Sequence, residues 1–169
     1  MTETTTKLMT GGCLWGSVRY GARLDQPEGY YCHCRMCQLA FGNTRAAFVN
    51  LRKDQVTWTA EAPSRYASSK IALRGFCGTC GTPLSFEYLA SDRMDLAAGS
   101  FDHPEALRPV AHFAVESRIA PWPVADGLPE SRPDRNARHP ERSRDPPRTY
   151  PRPSAAATRP RSRQPAHPG

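Results

Sequence analysis

Apolar and polar residues alternate in short runs through most of the first 120 residues, which is typical of half-buried β-strands. The clearest run is residues 84–89, in which Leu84, Phe86 and Tyr88 alternate with polar residues. Comparable runs predict strands at residues 17–20, 44–51, 56–59, 65–67, 70–73, 94–98 and 110–115. Short strands at close spacing with little helix predict a mainly β domain built from antiparallel sheet.

Glycine and proline mark the breaks between these runs. Residues 21–29 contain Pro27 and are predicted to form a loop. Residues 35–41 are predicted to form one or two helical turns that end at Gly42. A further turn is expected to begin at Pro104, with Asp102 as its N-cap.

The last part of the chain differs sharply in composition. Residues 129–169 hold 10 of the 17 prolines and contain no Val, Ile, Leu, Met, Phe, Trp or Cys. They carry 10 Arg against 4 acidic residues, so most of the net charge of +7 belongs to them. Such a segment buries too little apolar surface to offset the entropy of ordering, so we expect a disordered tail after residue 128.

The expected compartment of the protein decides whether its cysteines form disulfides or bind metal. Residues 1–10 are rich in threonine and lack the apolar stretch of a secretory signal. No apolar run reaches the roughly 18–20 residues needed to cross a bilayer. We therefore expect a cytoplasmic protein with no membrane partner, in which the six cysteines serve as metal ligands rather than form disulfides.

The strongest motif is the C-x-C-x-x-C run of Cys32, Cys34 and Cys37. If the first part of the run is extended, Cys32 and Cys34 project from one side while His33 points to the other. A turn can then bring Cys37 to the same point. Three convergent thiolates suit Zn²⁺ and leave one tetrahedral position for water or substrate.

A second cysteine pair, Cys77 and Cys80, has the C-x-x-C-G spacing of a zinc knuckle. Spacing alone leaves two partitions open. In one, Cys34 and Cys37 join this pair in a closed structural site. In the other, Cys32, Cys34 and Cys37 form an open site, and Cys13 joins the pair in a second site.

Three segments together resemble one protein family. They are residues 11–20 (GGCLWGSVRY), 32–37 (CHCRMC) and 74–84 (RGFCGTCGTPL). Their sequences and their order along the chain resemble the motifs of the glutathione-dependent formaldehyde-activating enzyme family. The domain of this family is also called the centromere protein V/GFA domain. The resemblance implies a zinc-bearing, Mss4-like β domain at residues 9–128, followed by the disordered tail at 129–169.

The resemblance also implies roles for individual cysteines. The catalytic zinc of the family falls on Cys32, Cys34 and Cys37. The structural zinc falls on Cys13, Cys77 and Cys80, but Trp15 stands where a fourth cysteine is expected. Because an indole N–H is only a donor, Trp15 cannot bind zinc. A water, a carboxylate, or a histidine such as His103 or His112 would then have to complete this site, unless it stays weak or empty.

The implied activity is that of a zinc-dependent carbon–sulfur lyase that joins glutathione, or a related thiol, to formaldehyde or another small aldehyde. Zinc lowers the pKa of a bound thiol, and the thiolate is the nucleophile. Glutathione has two carboxylates, so nearby cations are expected to bind it. The candidates within or close to the motifs are Arg19, Arg35, Arg45 and Arg74.

One alternative belongs to a different functional class, a zinc-stabilised binding module whose basic tail contacts nucleic acid. The tail, however, has Tyr150 as its single aromatic residue, and the remainder of the chain is nearly neutral. Nucleic acid is therefore not the expected partner.

Overall fold

The computed structural model describes residues 6–122 and 125–132. Two units are distinguished along the chain, Met1–Pro133 and Asp134–Gly169. The second unit, and with it most of the tail that we predict to be disordered, lies outside the described residues. No helix in the described ranges is long and apolar enough to cross a membrane.

Strands are the main secondary structure of the described residues, and the predicted mainly antiparallel β fold is confirmed. The strands are β1 (Lys7–Gly12), β2 (Arg19–Leu24), β3 (Glu28–Cys32), β4 (Ala46–Arg52), β5 (Val56–Trp58), β6 (Ser64–Ser69), β7 (Ala72–Phe76), β8 (Pro83–Tyr88), β9 (Arg93–Ala97), β10 (Arg108–Phe113) and β11 (Glu130–Ser131). The helix α1 spans Arg35–Phe41, as its sequence predicts. Within the described ranges, four single 3₁₀ turns lie at Lys53–Gln55, Ala98–Ser100, Pro104–Ala106 and Val115–Ser117.

The strands form two sheets. The smaller sheet has the order β1-β2-β5, and the larger has the order β11-β10-β3-β4-β9-β8-β7-β6. Most neighbours are antiparallel, but β10 runs parallel to both β3 and β11. This arrangement places the end of β3, which carries Cys32, in the interior of the larger sheet.

The loop predicted at residues 21–29 is largely wrong, because β2 continues to Leu24 and β3 already begins at Glu28. Glycine misled the prediction, since it usually marks turns. A Cβ on Gly29 would lie 2.9 Å from the carbonyl oxygen of Phe48. Here the glycine allows close approach to β4, which is a different reason for glycine in a strand.

Two apolar clusters form the core, and each includes one group of cysteines. The larger cluster contains Tyr20, Leu84 and Leu96 together with the buried Cys13 and Cys77. The smaller cluster consists of Cys32, Cys37, Ala46 and Phe48, with Cys34 and Phe41 packed against it. The fold therefore holds each cysteine group against well-packed apolar side chains.

Two local expectations differ from the structure. Asp102 does not cap the turn at Pro104; His103 occupies the N-cap position without a side-chain cap bond. The Asp102 carboxylate instead accepts hydrogen bonds from Arg19 and Thr10. The ordered sheet also extends past residue 128, because β11 pairs with β10 through its main chain and needs no apolar side chains to do so.

Candidate metal centre

The first group of thiols lies where β3 leads into α1. Cys32 is the last residue of β3, Cys34 is the N-cap of α1, and Cys37 lies in the first turn. Their three Sγ atoms lie within 4.8 Å of one another. The Cys37 N–H donates to Cys34 Sγ at 3.4 Å, so the cysteine takes the place of the usual N-cap hydroxyl or carboxylate.

The short helix is fixed at both ends. Gly42 adopts the left-handed conformation at the C-terminus, with φ of 57°, as the sequence predicts. The Gln38 side chain donates to the main-chain oxygens of His33 at 2.8 Å and Ser117 at 2.9 Å. These bonds tie α1 to the segment after β10, so the position of Cys37 does not depend on seven helical residues alone.

The thiols of this group differ in pKa. Hydrogen bonds from the thiols of Cys32 and Cys37 lower the pKa of Cys34 to about 3. The same contact with Cys34 is the main cause that raises the pKa of Cys32, and burial adds to it. One thiolate is therefore favoured at neutral pH, and a divalent cation is needed to stabilise all three.

Arg74 on β7 supplies a cation next to this group. The residue is only 5% exposed, and its Nη2 donates to Cys37 Sγ at 3.4 Å. The guanidinium lies 4.8 Å from the centre of the Phe86 ring. Its Nη1 is buried and has no hydrogen-bond partner among the described residues. Arg74 thus has a donor available for a bound molecule.

His33 faces away from the thiols and begins a chain of polar contacts. Its Nε2 lies 2.8 Å from Nδ1 of His112, and the His112 Nε2 lies 2.9 Å from Oδ1 of Asp126. Burial lowers the pKa of His33 to about 4, so its ring is neutral at pH 7. In the tautomer of a neutral His112 that donates from Nε2 to Asp126, Nδ1 is the atom that accepts from His33 Nε2. The sequence predicts that His33 points to the side opposite Cys32 and Cys34, and its contact with His112 agrees with that prediction.

Sequence reasoning missed a buried carboxylate close to the first group. Asp95 on β9 accepts a hydrogen bond from Asn50 at 2.8 Å and another from Tyr30. Burial raises the pKa of Asp95 to about 6, and negative charge on Cys37 adds to the effect. A signal was present, because Asp95 interrupts an apolar run between Met94 and Leu96.

The second group of thiols joins the loop after β1 to the turn between β7 and β8. Cys13, Cys77 and Cys80 have Sγ atoms within 4.8 Å of one another. The turn uses Gly81, whose φ of 77° suits a residue without Cβ. The Cys80 thiol contacts the Thr82 hydroxyl at 3.1 Å, a contact that lowers the pKa of Cys80 to about 6.

Of the two partitions left open by spacing, the described residues form the one with two groups of three thiols. All six cysteines are free. Each group offers soft donors at the mutual distance of metal ligands, and each gathers thiols that a cation would stabilise. The donor sets therefore fit zinc. His103 contacts Glu105, and His112 contacts His33 and Asp126, so neither histidine belongs to the second group.

A cleft of about 590 Å³ lies between residues that adjoin the two groups. Phe41 on its wall packs against the cluster of Cys32 and Cys37, and Thr82 contacts Cys80. Its other lining residues include Tyr31, Asn43, Thr44, Arg45, Ser100 and Trp122.

Two of the four arginines named from the sequence lie at these features, Arg74 beside Cys37 and Arg45 in the cleft. Arg45 lies 4.4 Å from the centre of the Tyr31 ring. Arg19 is bound to Asp102, and Arg35 to Gln38.

Comparison with known proteins identifies the family. Residues 8–117 match the family described as glutathione-dependent formaldehyde-activating enzyme. The chain belongs to this family. A protein of Schizosaccharomyces pombe named as an uncharacterized lyase is 36% identical over 78 residues, which are 46% of this chain and 56% of that protein. The chain thus matches little more than half of that relative's length.

Among solved structures, a Rhodobacter sphaeroides protein is similar over 60% of this chain and 98% of its own, with 20% identity and a TM-score of 0.48. Membership of the glutathione-dependent formaldehyde-activating enzyme family rests on the match of residues 8–117. It agrees with the resemblance that the cysteine motifs carry.

Proposed function

We propose that this protein reversibly joins a small thiol, such as glutathione, to a small aldehyde, such as formaldehyde, as a zinc-dependent carbon–sulfur lyase. The observation that carries the proposal is the convergence of the Cys32, Cys34 and Cys37 thiols beside the buried Arg74. Family membership supports the thiol and aldehyde as substrate classes. Six free thiols are in keeping with a cytoplasmic, reducing environment.

In this proposal the first group of thiols holds one zinc ion by three ligands. The ion would supply Lewis acidity and a lowered pKa for a substrate thiol. The chain's own residues position the reaction. Cys34 is the thiol whose charge is already favoured, and Arg74 balances negative charge at Cys37. The unpartnered Nη1 of Arg74 is a donor for the aldehyde oxygen, which gains negative charge as the carbon–sulfur bond forms.

The cleft provides a place for the rest of the thiol substrate. Glutathione has two carboxylates and amide groups, and these require cationic and polar partners. Arg45 offers a guanidinium fixed against Tyr31, while Asn43 and Thr44 offer polar side chains on the same wall. A volume of about 590 Å³ is within the range of small-molecule sites.

The test compares two serine variants in an assay of thiol–aldehyde adduct formation. Magnetisation-exchange NMR measures the rate of adduct formation. Cys34→Ser removes one of the three ligands and is expected to abolish catalysis, with far-UV circular dichroism unchanged. Cys80→Ser makes the same chemical change in the other group and is the control; it is expected to keep most of the activity. Full activity of Cys34→Ser would refute the proposed site. The proposed reaction would be refuted if the zinc-loaded wild-type protein were inactive with every tested pair of a small thiol and a small aldehyde.

A further inference from the structure

The second group of thiols is built by two segments far apart in sequence, and both are fixed locally. Cys13 and Cys77 are buried, and Cys80 is half-buried. The Leu14 N–H donates to the Thr82 hydroxyl at 3.1 Å, which joins the loop after β1 to the turn between β7 and β8. The Val18 N–H donates to Cys13 Sγ at 3.4 Å. Three ligands are thus in place, and a tetrahedral metal needs a fourth.

Trp15 does not occupy the missing position. Its side chain is 64% exposed, so it does not fill the space beside the buried Cys13 and Cys77. Its indole has no acceptor atom. Where the resemblance to the family implies a cysteine, this chain thus has a side chain that faces solvent, while the Trp15 main chain hydrogen-bonds Cys80.

Ser17 contacts two of the three sulfurs that a fourth ligand would adjoin. Its Oγ lies 3.7 Å from Cys13 Sγ and 3.4 Å from Cys77 Sγ. In a tetrahedral zinc site with ordinary bond lengths, a sulfur ligand and an oxygen ligand are about 3.5 Å apart. From this agreement at two sulfurs we propose that Ser17 Oγ completes a zinc site with Cys13, Cys77 and Cys80.

Thr82 is the rival hydroxyl, and its contacts indicate a different role. It lies 3.1 Å from Cys80 Sγ, and it also accepts the hydrogen bond from Leu14. Ser17 contacts two of the three sulfurs. Thr82 is therefore assigned as a hydrogen-bond donor to the Cys80 sulfur, outside the coordination sphere.

A neutral hydroxyl is a weaker ligand for zinc than a thiolate, which has consequences for exchange. A site of three thiolates and one hydroxyl releases its metal faster than a site of four thiolates. A metal in the second group is therefore expected to be exchangeable. This inference concerns metal binding alone and does not depend on the proposed reaction.

The experiment measures zinc release to a chromogenic chelator and the absorption of the Co²⁺-substituted protein, using the full chain. Ser17→Ala is expected to accelerate one kinetic phase of zinc release by about tenfold or more, since loss of about 1.4 kcal/mol of binding gives a factor of ten. Ser17→Cys is expected to slow the same phase and to add one sulfur-to-cobalt charge-transfer contribution. Thr82→Val is the matched control and is expected to leave the number of cobalt–sulfur bonds and the ligand-field bands unchanged, with at most a smaller change in release.

Three results would overturn the inference. One is a Ser17→Ala variant with wild-type release and ligand-field bands. Another is an equal or larger acceleration in Thr82→Val, which would make both hydroxyls mere hydrogen-bond donors. The third is a metal content that Cys77→Ser does not lower, which would mean that this group binds no metal. Circular dichroism of each variant separates these results from misfolding.

Discussion

Asp95 offers the sharpest test of the electrostatics around the first group of thiols. Asn50 on β4 and Tyr30 on β3 face the carboxylate, Arg93 lies on its own strand, and negative charge on Cys37 acts on it from α1. The perturbation is Asp95→Asn, which keeps the shape and an oxygen that can accept from Asn50. Because burial raises the pKa of Asp95 to about 6 from 3.8, the folded state holds the proton more tightly than the unfolded chain.

The sign of the effect follows from that shift. Below the pKa of Asp95 in the unfolded chain, the carboxyl is protonated in both states and does not destabilise the folded state. As pH rises from 3.8 to about 6, the unfolded chain ionises first, so the wild-type protein loses stability. Above that range the loss is complete, and a shift of two units corresponds to about 3 kcal/mol. Between pH 4.5 and 7.5 the stability of Asp95→Asn relative to wild type is expected to increase by about 2 kcal/mol.

The assay is urea unfolding of both proteins at a series of pH values, with the same zinc concentration throughout. Metal-linked effects that do not involve Asp95 cancel, because the two proteins share all six cysteines. Asp92→Asn, which removes a charge from an exposed residue just before β9, is the control. A pH-independent difference between Asp95→Asn and wild type would refute the argument. An equal pH dependence in Asp92→Asn would show that overall charge, not burial, is the cause.

Two further predictions test the cleft and the sheet. Arg45→Met is expected to raise the KM for glutathione by about 10–100-fold with little change in kcat, since a hydrogen bond to a charged group contributes about 1.5–3 kcal/mol. The KM for mercaptoethanol, which has no carboxylate, should stay the same, and equal increases for both thiols would refute the role of the cation. Gly29→Ala is expected to lower stability by about 1–3 kcal/mol in thermal unfolding, because the added Cβ would lie 2.9 Å from the carbonyl oxygen of Phe48. Gly99→Ala, with no atom within 4 Å of its added Cβ, should change stability much less, and a similar loss there would contradict the steric argument.

Local pattern predicted those features that depend on neighbouring residues. Alternation placed Cys32 and Cys34 on one side of an extended segment, and the helix that follows brings Cys37 to them. Gly42 ended that helix as expected. The first group of thiols was therefore predictable, because its three members lie within six residues.

Features that depend on distant strands were not predictable in the same way. Spacing could not say whether Cys77 and Cys80 join Cys13 or Cys34, since that choice is made by the strands on either side of each loop. Asp95 reaches Asn50 only because β9 pairs with β4. His112 reaches His33 only because β10 lies parallel beside β3, a pairing that a short antiparallel pattern does not suggest.

The cysteines of the first group are close together in sequence, whereas Cys13 is far from Cys77 and Cys80. This difference implies different roles for a metal at the two groups. A metal on Cys32, Cys34 and Cys37 closes a very short loop, so it removes little entropy from the unfolded chain and can remain open to substrate without much loss of stability. A metal on Cys13 and Cys77 joins segments whose contacting residues Ser17 and Cys77 are 60 positions apart. Closing so long a loop stabilises the fold more, by the logic that applies to disulfides. A metal held by the second group would therefore stabilise the fold more than one held by the first group, and Ser17 is the side chain in the described ranges that contacts two sulfurs of the second group.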